Sequence, residues 1–278
     1  MKYQKVLLGV LLLLAMSEMK AQDINIASYN IRYDNKGDSG NLWVNRLPRI
    51  ASLIQYHAFD IIGMQEGLYH QLEGLKNELS EFEYYGIGRD DGKIDGEFSA
   101  IFYNKKKFQI LNKGNFWLST TPEKPSKGWD ANVKRICTWV ELNNIENNKT
   151  FFVFNVHFDH EGYVARRESS KLILQQIQAI AKNSPVVLTG DFNGNHESDW
   201  YKTIQASTSL KDTYFLVAKP YVLNGSFNGF NAATIKSGII DHIFVTEHFR
   251  VAKYGLLTDT YYGKYPSDHF PIVVSVGL

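Results

Sequence analysis

The stretch "VVLTGDFNGN", Val186 to Asn195, carries an apolar run into an aspartate and an asparagine separated by one residue. Alternate side chains of an extended strand share a face, so Asp191 and Asn193 are expected to point the same way. One brings a negative charge, the other a donor and an acceptor on a single amide. Turn chemistry gives a blander account, because Gly-Asp and Asn-Gly commonly end strands. Recurrence separates the two readings. "IASYNIRYD" runs into Asn30, Arg32 and Asp34, and "DIIGMQEG" runs into Gln65 and Glu66. "FFVFNVHFDH" sets Asn155, His157 and Asp159 on one alternating face. "GIIDHIFV" holds Asp241 inside an apolar strand, and "YPSDHFPIVV" places Asp268 and His269 directly before the last one.

Six strands ending in Asn, Asp, Glu and His point to one polar centre. Buried carboxylates are costly unless paired or metal-bound. Several of them, converging with amides and imidazoles, suit a hard cation such as Mg2+, which takes oxygen ligands and keeps several waters. Zinc would call for cysteines or closely spaced histidines. The chain has one cysteine, Cys137, and no helix-borne histidine pair four residues apart. No G-x-S-x-G elbow, Walker-type glycine loop or G-x-G-x-x-G after a strand is present.

Presenting these residues requires short strands with cover on both faces. Strands are expected at 24–31, 59–65, 98–104, 136–142, 151–158, 185–192, 239–245 and 271–278. Helical stripes lie between some of them: Leu47, Ile50, Leu53 and Ile54 in 47–57, and Leu72, Leu75 and Leu79 in 70–82. A longer helix is expected from Tyr163 to Lys182, burying Ile173, Ile177 and Ile180 and halting before Pro185. Strands apolar on both faces imply two stacked sheets with helices outside. Two irregular stretches, 88–97 and 119–134, are expected to rim a site, and Trp117 and Trp129 would either wall it or pack beneath.

Residues 1–21 read as an export signal: Lys2 and Lys5, a short apolar run, then "SEMKA". That run falls short of the ~20 residues that span a bilayer, so no stable membrane insertion is expected. A single domain, 22–278, would follow, monomeric and placed in the periplasm or outside the cell. Without the signal its net charge is near −1. Such a chain has no broad electrostatic footprint for nucleic acid. With only Cys137 it has no intramolecular disulfide and must rest on its core.

The ordered set "YNI", "QE", "NVHFDH", "GDFN", "IDHIFV" and "SDHFP", from Asn30 to Pro271, resembles the endonuclease/exonuclease/phosphatase (DNase I-like) superfamily, in the form of a secreted bacterial-type member. The resemblance implies a four-layer α-β-β-α sandwich of two mostly antiparallel sheets and metal-dependent hydrolysis of a phosphoester. Glu66 would be the principal Mg2+ ligand (Mn2+ substituting), with Asn30 beside it and Asp268 helping to place the ion. Asp191 and Asn193 would position and activate water, and Asp241 would hold His269 against the phosphate. His157 matches the histidine of phosphodiesterase and phosphatase members, and Arg32, Arg135 and Asn155 would contact phosphate. His242 is read as packing. The expected substrate is a small extracytoplasmic phosphate compound. A secreted nuclease on DNA or RNA, a sphingomyelinase-like lipid hydrolase and a silent binding protein remain the competing readings.

Overall fold

Two strand–helix–strand units form the framework. Ile24–Asn30 (β1) and Ile61–Gly67 (β2) pair in parallel, with Trp43–Tyr56 (α1) as the crossover. Thr150–His157 (β7) and Val186–Asp191 (β8) repeat the device around Tyr163–Ala181 (α3). Parallel neighbours need such a connection, whereas antiparallel ones do with a turn. The computed structural model describes residues 23–278, and the expected export signal lies outside them.

Antiparallel strands complete a six-stranded sheet around each parallel pair. The first sheet runs Arg250–Leu256 (β11), Ile272–Gly277 (β12), β1, β2, Phe98–Asn104 (β4), Phe82–Tyr85 (β3). The second runs Phe108–Trp117 (β5), Ile136–Asn144 (β6), β7, β8, Asp241–Val245 (β10), Lys211–Asp212 (β9). Period-two alternation then builds the layers. Ile26, Ile61, Val153 and Val187 pack between the sheets, while Ala27 and Ile62 turn outward to Ile50 and Ile54 of α1 and to Leu72 of Tyr69–Glu78 (α2). On the opposite exterior, Phe154 and Leu188 meet Ile173 and Ile177 of α3 and Trp200 of Asp199–Gln205 (α4). This is the expected four-layer sandwich, mostly antiparallel. Among the described residues no helix is long and apolar enough to cross a membrane.

The eight expected strands are the interior strands of the two sheets. The four that the apolar pattern did not reveal, β3, β5, β9 and β11, are the four edges. Edge strands are short or carry polar side chains, which blunts unwanted pairing; β5 exposes Gln109, Leu111, Asn112 and Lys113. α1 starts at Trp43 rather than Leu47 and carries Pro48 inside it. α2 stops at Glu78, because Phe82 already belongs to β3.

The sheets meet most closely at Gly63. A Cβ there would fall 2.0 Å from Thr189 Oγ1 and 2.6 Å from Asn155 Oδ1. Asn155 staples the layers: its amide donates to Met64 O and Ala100 O, and its carbonyl accepts from Gln65 Nε2 (2.7 Å) and Thr189 Oγ1 (3.0 Å). Its hydrogen-bonding capacity is used up within the protein. Asn155 therefore lies beneath the cleft instead of contacting phosphate in it. Gly63→Ala is expected to destabilise the protein by about 1–3 kcal/mol through overpacking. A fall in the urea midpoint at constant slope would show it; an unchanged midpoint would mean that this contact does not fix the sheet separation.

Candidate active site

Strand register alone gathers the first three site residues. His157 on β7 lies level with Asp191 on β8, and Asp191 with Asp241 on β10. His269, three residues before β12, donates from Nδ1 to Asp241 Oδ2 at 2.9 Å, and its Nε2 stands 3.7 Å from Asp191 Oδ2. Across the gap, Asn30 at the end of β1 offers its Nδ2 to Glu66 Oε1 and to Asp191 Oδ2, both at 3.0 Å. Its carbonyl accepts the Arg32 N–H. Asn30 turns its NH2 to both carboxylates and holds them.

Three site residues occupy the left-handed backbone region: Arg32 (φ 56°), Glu66 (φ 65°) and Asn193 (φ 46°). Non-glycine residues rarely adopt it, and such strain concentrates at functional sites. At Glu66 the β2–β4 ladder skips from Met64 to Gly67, so the carboxylate is re-aimed out of the strand. β8 ends at Asp191, so simple alternation does not place Asn193. A turn does, in which the Asn193 N–H donates to Asp191 Oδ1 at 2.9 Å. Arg46, fully buried in α1, donates to the carbonyls of Ile31, Arg32, Asn41 and Pro266 and so ties together the loops bearing Arg32 and Asp268.

These parts surround a cleft of about 680 Å³, lined by Arg32, Glu66, Arg135, His157, Asp191, Asn193, Asp268 and His269 among others. Asp241 stands behind His269, and Asn30 beneath the carboxylates. Burial, reinforced by Asp241, raises the Asp191 carboxyl to about 7. Burial also raises Asp268 to about 6, with Glu66 adding to it. For His269 burial opposes the charge, but Asp241 and Asp191 outweigh it and hold the imidazole protonated, well above its ordinary range. His157 goes the other way: burial, then Arg135 and Arg89, keep it neutral. One histidine is a cation and the other is not.

The carboxylates fit a divalent cation. Glu66, Asp268 and Asp191 supply hard oxygen donors, and the upward shifts of Asp191 and Asp268, caused first by burial and then by Asp241 and Glu66 respectively, show that their ionised forms are disfavoured without a cation. Arg32 answers part of it, chelating Asp38 (2.9 and 3.1 Å) while standing 3.9 Å from Glu66 and 3.8 Å from Asp268. On the far flank Arg135 is buried, bound through Nη2 to His160 Nδ1, with Nε 3.5 Å from Asp159 Oδ2 and Nη1 lacking a hydrogen-bond partner. Buried N–H groups of that kind are open to an anion.

Glu97 escaped the sequence reading. It sits in the cleft, gripped by Arg89 at 2.6 and 2.9 Å, with Oε2 4.0 Å from the unpartnered Nδ1 of His157. The only sequence signal was its place at the end of the expected rim loop. Both loops do reach the cleft, through Arg89, Glu97 and Val133. Trp117 packs, its indole N–H donating to Arg89 O, and neither Trp117 nor Trp129 lines the cleft; Phe227 and Phe230 do. His242 packs as expected, facing Asp212 at 3.1 Å and Gly194 O at 3.0 Å. With His196 it surrounds Asp212, whose Oδ2 already accepts from Tyr201 at 2.8 Å.

A family model described as "Endonuclease/Exonuclease/phosphatase family" matches residues 27–269. The fold superposes on a mannosyl-6-phosphatase of Bacteroides thetaiotaomicron with a TM-score of 0.90 and 45% identity, covering 92% of this chain and 100% of that one. An endonuclease/exonuclease/phosphatase from Bacteroides vulgatus gives 0.88 and 38%, covering 92% and 99%. An uncharacterized protein of Acanthamoeba polyphaga mimivirus is 30% identical over 249 residues, 84% of this chain and 91% of its own length.

The raised Asp191 carboxyl has a consequence for stability. Folding retains a proton there that the unfolded chain releases above its ordinary value, so stability is lost as pH rises from 3.8 to about 7 and stays lost above. Asp191→Asn removes that penalty. In EDTA at pH 8 its unfolding temperature is expected to rise by roughly 3 °C or more, with the gain shrinking as pH falls towards 4. A lower or unchanged unfolding temperature at pH 8 would contradict this electrostatic account.

Proposed function

The chain belongs to the Endonuclease/Exonuclease/phosphatase family, and on that premise we propose that it is a Mg2+-dependent phosphatase that removes the terminal phosphate of a sugar phosphate. The observation that carries this reading is the 45% identity, over 92% of this chain, to a structure named as a mannosyl-6-phosphatase. The cleft's chemistry agrees. Carboxylates line one flank, and Arg135 and the two histidines face them, an arrangement suited to a compact dianion. A net charge near zero is poorly suited to tracking a long polyanion.

The residues divide the work. Glu66 and Asp268 would hold the cation, with Asp191 close by. A cation held by these residues would supply positive charge to the phosphoryl and leaving oxygens. Asp191 and the Asn193 amide hold the attacking water, and Asp191 takes its proton; a carboxyl near 7 is matched to that task. His269, kept protonated by Asp241, donates from Nε2 to a phosphoryl oxygen as charge builds. His157, neutral and beside Asn193 at 3.2 Å, orients the water's partner amide. Burial, with Arg135 and Arg89, keeps His157 neutral, and Glu97 stands 4.0 Å from its Nδ1. Residues 1–21 are proposed to export the chain, which places the substrate outside the cytoplasm.

Purified protein is expected to release phosphate from mannose 6-phosphate with Mg2+, leaving plasmid DNA, RNA and bis-p-nitrophenyl phosphate largely intact. EDTA or Glu66→Ala should lower the rate by about a hundredfold or more. The acidic limb of kcat/KM should lie at or below about 7, since a cation can only ease the loss of the Asp191 proton. Nicked plasmid or degraded RNA at low enzyme, without phosphate release from the sugar, would replace this reading with a nuclease.

A further inference from the structure

Phe227 is an exposed aromatic ring held rigidly beside a reacting group. It is 41% exposed, yet its ring packs edge-on against His269 with centroids 5.1 Å apart, and its backbone forms an isolated bridge with His269. The next residues are fastened to the same segment: Asn228 N and Gly229 N donate to Asp268 O, and the Asn228 amide donates to Ser267 O. Gly229 (φ 57°) lies under the ring, where a Cβ would come 3.2 Å from Phe227 Cζ. Phe230 follows with φ 57°, a conformation unfavourable for a bulky residue. Its N–H donates to Asn228 Oδ1, and the Arg46 guanidinium stands 5.4 Å from its ring.

An exposed phenylalanine gains nothing from water, and this one is not a flexible ornament, since hydrogen bonds of its loop tie it to Ser267, Asp268 and Asn228. Both rings line the cleft together with Arg32, Tyr33, Asp38, Arg89, Val133 and His160. With the phosphoryl group held between the carboxylates and His269, the esterified alcohol has to leave past these residues. We infer that Phe227 and Phe230 form a leaving-group subsite that takes the apolar C–H face of a pyranose ring, with the ring hydroxyls left to Asp38 and Tyr33 of the same cleft. A sugar has one face of C–H groups and an edge of hydroxyls, which an aromatic plate beside polar groups discriminates from an acyclic alcohol. The inference rests on the sugar-phosphatase reading and names the residues that would make it selective.

Two measurements separate the subsite from the activity. In EDTA, saturation-transfer NMR with mannose 6-phosphate should show transfer to the ring protons from wild type, and its loss in Phe227→Ala. With Mg2+, the ratio of kcat/KM for mannose 6-phosphate over glycerol 3-phosphate should fall about tenfold in Phe227→Ala and be restored in Phe227→Trp, whose larger plate keeps the stacking face. Equal losses on both esters would assign Phe227 a structural role through His269 and overturn the subsite. Unchanged ring-proton transfer, or stronger transfer to the base of adenosine 5′-monophosphate than to the sugar phosphate, would overturn it as well. Ring contacts with no turnover of either ester would instead refute the phosphatase reading while upholding the subsite.

Discussion

One buried amide joins the two halves of the molecule. Asn30 gives its two N–H groups to Glu66 on its own sheet and to Asp191 on the other, each at 3.0 Å. Without those donors the two carboxylates would approach each other across the sheets with their lone pairs facing. The rest of the site follows from the need to bring negative groups together in a place largely closed to water. Gly63 lets the sheets approach, Asn155 staples them, and Arg46 ties down the loops on either side.

The same concentration of charge sorts the histidines. His269, although buried, faces Asp241 and Asp191 and is held as a cation; His157 is held neutral by burial first and then by Arg135 and Arg89. Two imidazoles of the same ordinary basicity thus take opposite states a few ångströms apart, set by which neighbours each strand end delivers. Strained backbone at Arg32, Glu66 and Asn193 is the conformational counterpart. Each leaves regular geometry just where its side chain, or its neighbour's, must be aimed into the cleft.

Legibility in the sequence followed burial. Interior strands announce themselves because both faces are apolar, which makes the polar residues at their ends conspicuous: Asn30, Glu66, His157 and Asp191 where β1, β2, β7 and β8 finish, and Asp241 where β10 begins. Edge strands lack the contrast, and all four went unread. Alternation gave face but not depth. Asn155 and His157 share a face, yet Asn155 sits between the sheets while His157 sits at the strand end where the cleft opens. Arg46 lies just before the helix expected at 47–57, and its role emerges only once the carbonyls of Ile31, Arg32, Asn41 and Pro266 converge on it. Glu97 and Phe227 stand in glycine- and asparagine-rich loops, whose composition signals a turn and nothing about what the turn presents.

The central claim is that the carboxylates gathered by Asn30 exist to hold a divalent cation. Anomalous diffraction from crystals soaked in Mn2+ tests this most directly. The account predicts one strong peak in the cleft within ligand distance of Glu66, lost in Glu66→Ala crystals that keep the fold. A cleft without a peak, or a peak confined to the His196, Asp212 and His242 group, would contradict it.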